Sequence, residues 1–335
     1  MHNRGRVSNE TTARVRQAVA RHKYSPNVVA SNLSRARRLV FGVLMPGPGQ
    51  DGGYWEFPIA GIRSAVEELA HHYLTVEYYH FYRDDDASFW AAAERLLEAT
   101  VDGVLLAPTL YEESKTFVDR LQGTPCVVFD GELPSAGVLT TVNQDSFESG
   151  LLAGKLMKLL APQGPYLTAT IGRTDYHLRR RREGFVRFFE LSGEGPVEHL
   201  DLEQPKELLR TADQIRSGAS AMGGLFATNA LGHYLAKELN DSDTSHTPII
   251  GYDLIPENAD SLRNGLMDFV IHQEPRRQGY SSLYALYRHV VLKEAVEPRI
   301  RMPIDIVMRE NLEFHMNRET TERPAPRTKV KEQQP

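Results

Sequence analysis

From Leu39 onward the chain alternates two patterns of apolar and polar positions. Short, nearly continuous apolar runs such as LVFGVLMP, VDGVLLAP and PCVVFDG are separated by stretches in which apolar residues recur three and four positions apart. The first pattern reads as strands buried on both faces, the second as amphipathic helices. In order, the strand LVFGVLMP is followed by the helix PIAGIRSAVEELAHHY, the strand LTVEYYHF and the helix DASFWAAAERLLEATV. The strand VDGVLLAP, a helix over 112–122 and the strand PCVVFDG complete this series. A second series begins after FESGLLAGKLMKLLAP: the strand YLTATIG, the helix RRRREGFVRFFEL, the strand EHLDL, a helix near 205–217 and the strand GGLFATN. It continues with the helix ALGHYLAKEL, the strand TPIIGYDL, a helix over 258–264 and the short strand MDFVIHQ. The helix RRQGYSSLYALYRHVVL and one strand in RIRMPIDIVMREN close the pattern. Strands alternating with helices predict parallel, doubly wound sheets, and two such series predict two similar α/β lobes. The first lobe is expected over about 39–162 and 276–300, the second over about 163–275 and 301–315. Residues 316–335 are polar and proline-bearing and are expected to be a disordered tail.

Before Leu39 the pattern is purely helical. Ser8 is placed to cap a helix over about 9–21, with Val15, Ala18 and Val19 on one face. Ser25 and Pro26 open a second, very short helix in which Val29, Ala30 and Leu33 share a face, and Arg35, Arg37 and Arg38 close it. A helix of this length is not stable alone, because nucleation is costly and few bonds follow. It is either a linker with a solvated basic end or a segment that orders on a polyanion.

Charge sharpens that choice. The net charge of −5 divides into nine Lys/Arg and one Glu over residues 1–38, and 30 Lys/Arg against 43 Asp/Glu over the rest. A basic arm on an acidic body is the footprint expected when one end of a chain meets nucleic acid. With 335 residues, 41% of them hydrophobic and 25% charged, the composition is that of an ordinary globular protein with an ample core. The single cysteine, Cys126, lies in a strand pattern and predicts a buried thiol, with no intrachain disulfide. No apolar run reaches membrane-span length, and MHNRGRVSNE lacks the apolar stretch of a signal peptide, so no membrane partner and a cytoplasmic protein are expected.

In open α/β sheets ligands bind beyond the carboxyl ends of strands, and between two lobes that places them in the cleft. The residues at those ends are Asp130, Asn229, Asp253 and Gln273, whose carboxylates and amides suit vicinal hydroxyls. Arg181, near the start of a helix, offers a planar fork that can donate to two hydroxyls or a carboxylate. Tyr54, Trp55, Phe57 and Tyr176 are placed where an aromatic ring could stack on a sugar. The same residues have plainer uses: Asp and Asn at strand ends cap helices, the run Arg179 to Arg182 suits a solvated helix face, and the aromatics could simply pack. Gly47, Gly49 and Gly52 match a dinucleotide fingerprint, but the helix is expected only near Phe57 and Pro48 removes an N–H, so no cofactor is expected. Histidine spacing suggests no metal, and no nucleophile or base arrangement suggests an enzyme.

Several stretches, taken in order, carry a family resemblance: GRVSNETTARVRQAVARHKYSPNVVASNL at the front, Arg181-x-x-Gly184-Phe185, FATN ending at Asn229, GYD ending at Asp253 and VIHQ ending at Gln273. With these the sequence resembles the LacI/GalR family of bacterial transcription regulators, whose effector domain looks like a type I periplasmic sugar-binding protein. The resemblance implies two Rossmann-like lobes with parallel sheets, preceded by a short helical remnant of a DNA-binding domain. Residues 1–24 would be a partial DNA-binding domain holding only its third helix, and 25–38 a hinge helix and linker. It implies DNA contacts from Asn27, Ala30, Leu33 and Arg35, with Leu33 as a minor-groove wedge, and it supports Asp130, Arg181, Asn229, Asp253 and Gln273 as ligand-binding residues. The partners it implies are a small effector, a monosaccharide or related polyol, together with operator DNA and a second copy in a homodimeric repressor. Two helices that precede the third in the family do not occur in this sequence, so the DNA reader is expected to be incomplete, through an internal start or a true truncation. The alternative function is a stand-alone sugar-binding protein.

Overall fold

The apolar runs pair side by side into two six-stranded sheets, seen in a computed structural model that describes residues 38–70, 73–203, 223–240 and 246–321. The first sheet holds β1 (Leu39–Pro46), β2 (Leu74–Phe81), β3 (Gly103–Leu106), β4 (Cys126–Phe129) and β5 (Val138–Asn143), all parallel, in the order β2-β1-β3-β4-β5. The second repeats that order with β6 (Tyr166–Ile171), β7 (Glu198–Leu202), β8 (Gly224–Ala227), β9 (Ile249–Tyr252) and β10 (Phe269–His272), as β7-β6-β8-β9-β10. The α/β class and the two parallel-sheet lobes are therefore as the alternating pattern predicts. β5 was not among the expected strands: its run VLTTVN mixes threonines with apolar residues and carries no strong period.

Among the described residues the helices are α1 (Glu56–Glu68), α2 (Asp86–Glu98), α3 (Tyr111–Arg120), α4 (Ser146–Leu160), α5 (Tyr176–Leu191), α6 (Gly232–Asn240), α7 (Pro256–Arg263), α8 (Pro275–Val290) and α9 (Leu312–Thr321). In the first lobe one sheet face packs on α1 and α8, through residues such as Ile62 and Leu283, and the other on α2 and α3, through Phe89 and Phe117. In the second lobe α4 and α5 cover one face through Met157 and Phe185, and α6 and α7 cover the other through Leu235 and Leu262.

Three expectations are corrected here. Helix α4, expected to end the first lobe at about residue 162, packs on α5 and the second sheet, so the first crossing between lobes lies at Gln144 and Asp145. Its Gly150 lies so close to α5 that a Cβ would stand 2.0 Å from the Arg181 carbonyl. The segment RIRMPIDIVMREN is not one strand. β11 (Arg299–Arg301) runs parallel to β5 in the first sheet, while β12 (Asp305–Val307) pairs antiparallel with β10 in the second, with Met302 to Ile304 crossing between them. The expected tail is helical as far as Thr321, because α9 docks on the crossing region: Arg318 meets Glu274 at 2.6 Å and Met316 packs on the second core. The helix expected near 205–217 lies outside the described residues, as do residues 1–37 with Asn27, Ala30, Leu33 and Arg35.

The chain thus crosses three times, at 144–145, 273–274 and 302–304. One side chain ties these crossings together. Gln144, 1% exposed, donates from Nε2 to the His272 carbonyl at 3.0 Å and to the Pro303 carbonyl at 2.7 Å, and its Oε1 accepts from Tyr252. Cys126 is buried in β4, and burial pushes its thiol up to about 12. Among the described residues no helix is long and apolar enough to cross a membrane.

Candidate functional site

β4 and β9 occupy the same place in the two sheets, and each ends in an aspartate with positive φ, Asp130 at 69° and Asp253 at 61°. Left-handed backbone at a non-glycine residue is costly and persists where the surroundings hold it. Here they do. Asp130 N–H donates to Gln278 Oε1 at 2.9 Å, and the Asp253 carbonyl accepts from Asn258 Nδ2 at 2.8 Å. The turns bring both carboxylates to one cleft between the lobes, the place where ligands of two-lobed α/β folds are held.

The loop from β1 to α1 brings Tyr54 and Trp55 to the same cleft, their rings edge-on at 5.2 Å. The Tyr54 hydroxyl donates to Asp130 Oδ1 and accepts from Gln273 Nε2 at 2.9 Å, and that amide also donates to Asp253 Oδ2 at 3.1 Å. A polar chain Asp130, Tyr54, Gln273, Asp253 therefore spans the lobes. From the other wall, Asp175 caps α5 by accepting from Leu178 N–H at 3.2 Å, and two turns on, Arg181 places its guanidinium carbon over the Tyr252 ring, 3.4 Å from the centroid. Arg181 Nη1 donates to the Thr228 carbonyl at 2.8 Å, and Asn229, just beyond β8, donates from Nδ2 to the Ile171 carbonyl at 2.6 Å.

These bonds leave a remainder. Arg181 Nε and Nη2, Asn229 Oδ1 and Asp253 Oδ1 are buried and have no hydrogen-bond partner among the described residues. Buried polar atoms are nearly always paired, and leaving one unpaired costs about 1–3 kcal/mol. The set comprises two donors and two acceptors around one space. Burial also governs the charges. It pushes Asp253 up to about 6, with Arg181 opposing, and raises Asp130 against the opposing pull of His177. Tyr54 is held well above its ordinary value by burial and by the neighbouring Asp130.

The structure brings Tyr54, Trp55, Asp130, Arg181, Asn229, Asp253 and Gln273 together in this cleft. It does not bring Phe57 or Tyr176 there. Phe57 lies on α1 and packs against the first core, and Tyr176 stacks on Tyr111 of the opposite lobe at 5.2 Å and 24°. Sequence reasoning missed Asp51, Arg83, Asp175 and His177, which also line the cleft. Arg83 Nη1 reaches Asp51 Oδ1 at 3.0 Å and its Nη2 reaches Asp175 Oδ2 at 2.8 Å, while His177 Nδ1 stands 3.0 Å from Asp175 Oδ1. Burial alone would raise Asp175, but the charges of His177 and Arg83 bring it down to about 2. The available signal was position, since Arg83 and Asp175 lie two and four residues past the carboxyl ends of β2 and β6.

The same architecture is shared by known proteins. A family model described as periplasmic binding protein domain matches residues 41–294. The chain belongs to this family. No curated protein matches the sequence. Among solved structures, a protein designated a LacI transcriptional regulator from Bacteroides fragilis is 26% identical with a TM-score of 0.77, over 83% of this chain and 99% of that one. GanP, a glucose-galactose binding protein from Geobacillus stearothermophilus, is 20% identical with a TM-score of 0.73, over 82% and 99%. A carbohydrate transporter solute binding protein from Agrobacterium radiobacter, in complex with D-arabinose, is 17% identical with a TM-score of 0.71, over 82% and 96%. Periplasmic binding protein domains and their relatives thus include both solute-binding and regulatory proteins, and this chain has their fold.

Proposed function

We propose that this chain binds a small sugar or related polyol between its lobes and signals the ligand by lobe closure, without turning it over. The observation that carries this is the set of four buried, unpaired polar atoms on Arg181, Asn229 and Asp253. A sugar hydroxyl is both donor and acceptor, so adjacent hydroxyls can satisfy donors and acceptors lying side by side. The Arg181 fork presents Nε and Nη2 in a fixed plane, a geometry suited to two neighbouring oxygens. Trp55 and Tyr54 give the cleft apolar surface for the sugar ring. The described binding of glucose and galactose by one structural neighbour and of D-arabinose by another supports the same ligand class.

A thermal-shift screen of pentoses and hexoses, followed by titration calorimetry, tests this. A stabilising sugar whose binding is lost in Arg181→Ala and Asp253→Ala is the expected result. Failure of every sugar to bind, or unchanged affinity in both variants, rejects the proposal.

A stand-alone sugar-binding protein is the use best supported by the sugar-binding neighbours. A second use, a ligand-responsive transcription regulator acting as a homodimer on operator DNA, is favoured by the 26% identity to the designated LacI regulator and by the excess of eight positive charges in residues 1–38. Duplex DNA binding by the full chain separates the two. Regulation requires association that weakens steeply with salt and shifts when the sugar is added. Undetectable DNA binding at low salt leaves the stand-alone protein.

A further inference from the structure

Arg83 enters the cleft from the first lobe, two residues beyond β2. Its Nη1 donates to Asp51 Oδ1 of the same lobe at 3.0 Å, and its Nη2 donates to Asp175 Oδ2 of the second lobe at 2.8 Å and to the Arg173 carbonyl at 3.2 Å. Both ends of this bridge are rigidly held. The Arg83 N–H donates to Gln50 Oε1 at 2.9 Å, and Gln50 Nε2 donates to the Phe81 carbonyl at 2.8 Å, so the Arg83 segment is stitched to the loop that carries Asp51. Asp51 also accepts from Trp55 Nε1 at 2.8 Å, next to Tyr54. Across the cleft, Asp175 caps the helix that presents Arg181. Arg83 therefore joins the element bearing Tyr54 and Trp55 to the element bearing Arg181.

The bridge is buried, with Arg83 9% and Asp175 4% exposed. Taking such ions out of water is costly, and the cost is offset only while the partners stay in register. Since Arg83 and Asp175 belong to different lobes, that register exists only when the lobes are together. A second interlobe pair, Arg173 and Asp86 at 2.6 Å, is of another kind: its side chains are 43% and 52% exposed, and exposed pairs contribute little.

We propose that Arg83 is a positioning residue that latches the two lobes through Asp175, bringing the walls of the cleft together before ligand completes closure. Only its consequence for affinity rests on the sugar-binding role; the latch itself acts without ligand. Removing the guanidinium takes away the one cation that Asp51 and Asp175 share across the lobes, leaving each carboxylate only the partners of its own lobe, Trp55 Nε1 for Asp51 and His177 with the Leu178 N–H for Asp175, which favours their separation.

Size-exclusion-coupled small-angle X-ray scattering of the unliganded full chain tests this. Arg83→Met is expected to increase the radius of gyration over the wild type at the same oligomeric state. Asp175→Asn keeps a capping side chain but removes the charge, and is expected to open the lobes in the same sense. Arg83→Lys, which keeps the charge without the fork, should fall between Arg83→Met and the wild type. Arg173→Ala should scatter as the wild type does. If Arg83→Met loses its cooperative thermal transition, Asp175→Asn decides. Wild-type scattering from the variants that fold overturns the latch. Where a sugar binds the wild type, Arg83→Met should weaken it by roughly 5–150-fold, the usual span of such coupling. Should no sugar bind the wild type, the sugar-binding proposal falls while the scattering still judges the latch.

Discussion

Arg181 and Asp253 show how far one side chain determines what the cleft can do. Arg181 is 1% exposed, stacked on Tyr252, and spends only Nη1 on the protein. Its remaining donors lie in one plane, so Arg181→Lys should fail to rescue sugar binding even though the charge is kept. With each hydrogen bond to a charged group worth about 1.5–3 kcal/mol, calorimetry should find that Arg181→Ala, which removes both free donors, reduces affinity by about a hundredfold or more. Asp253 contributes a pH dependence of its own. Burial raises its folded pKa from 3.8 to about 6, so between those values the folded protein holds more protons than the unfolded chain. Its contribution to stability is therefore greatest at low pH and falls as pH rises through that window. Thermal melts should show this slope flattened in Asp253→Asn. Sugar hydroxyls donate to the ionised carboxylate, so wild-type affinity should improve from about pH 5 to about pH 7.5, and this gain should vanish in the variant. Both residues were legible from their places at a strand end and in Arg-x-x-Gly. Arg83 was not, because an arginine before three aspartates reads equally well as a solvated turn, and only the opposite lobe shows what it meets.

The elements are held at their spacing by two matching pairs of glycines. On α1 and α8 a Cβ at Gly61 would stand 1.8 Å from the Arg276 carbonyl, and one at Gly279 would stand 2.1 Å from the Pro58 carbonyl. On α4 and α5 a Cβ at Gly150 would stand 2.0 Å from the Arg181 carbonyl, and one at Gly184 would stand 2.1 Å from the Phe147 carbonyl. Backbone cannot yield as a flexible side chain can, so alanine at any of these sites should force the helices apart, at a cost of about 1–3 kcal/mol or more. Gly150→Ala should lower both the melting temperature and sugar affinity, because α5 carries Arg181. Phe57→Leu, on α1 and packed against the first core, should lower the melting temperature alone. Melting curves and calorimetry on the two variants make the comparison. At this scale the element types were readable and their partners were not. The pattern of α4 shows an apolar face without saying which sheet that face covers, and α9 was hidden in a polar tail because its anchorage, Arg318 on Glu274, lies 44 residues away in sequence.

The whole molecule turns on three crossings tied by Gln144. Gln144→Leu would leave the His272 and Pro303 carbonyls without its two bonds and leave the hydroxyl of Tyr252, on whose ring Arg181 lies, with Ser149 Oγ alone. Hydrogen exchange should then quicken at Met302, whose N–H donates to the Asn143 carbonyl at 2.8 Å beside the crossing. Unchanged protection there would mean that the crossings are held by the strands alone. The tie also connects Arg181, through Tyr252 and Gln144, to the crossings between the lobes. By itself, the sequence determined the two α/β lobes and the strand-end residues of the cleft, because burial on both faces and the ends of strands leave a local period in the chain. Only the tertiary structure decided which lobe owns α4, which aromatics reach the cleft, and that Arg83 bridges it. Those facts are contacts between residues far apart in sequence, and no local pattern of apolar and polar positions encodes a partner on another element.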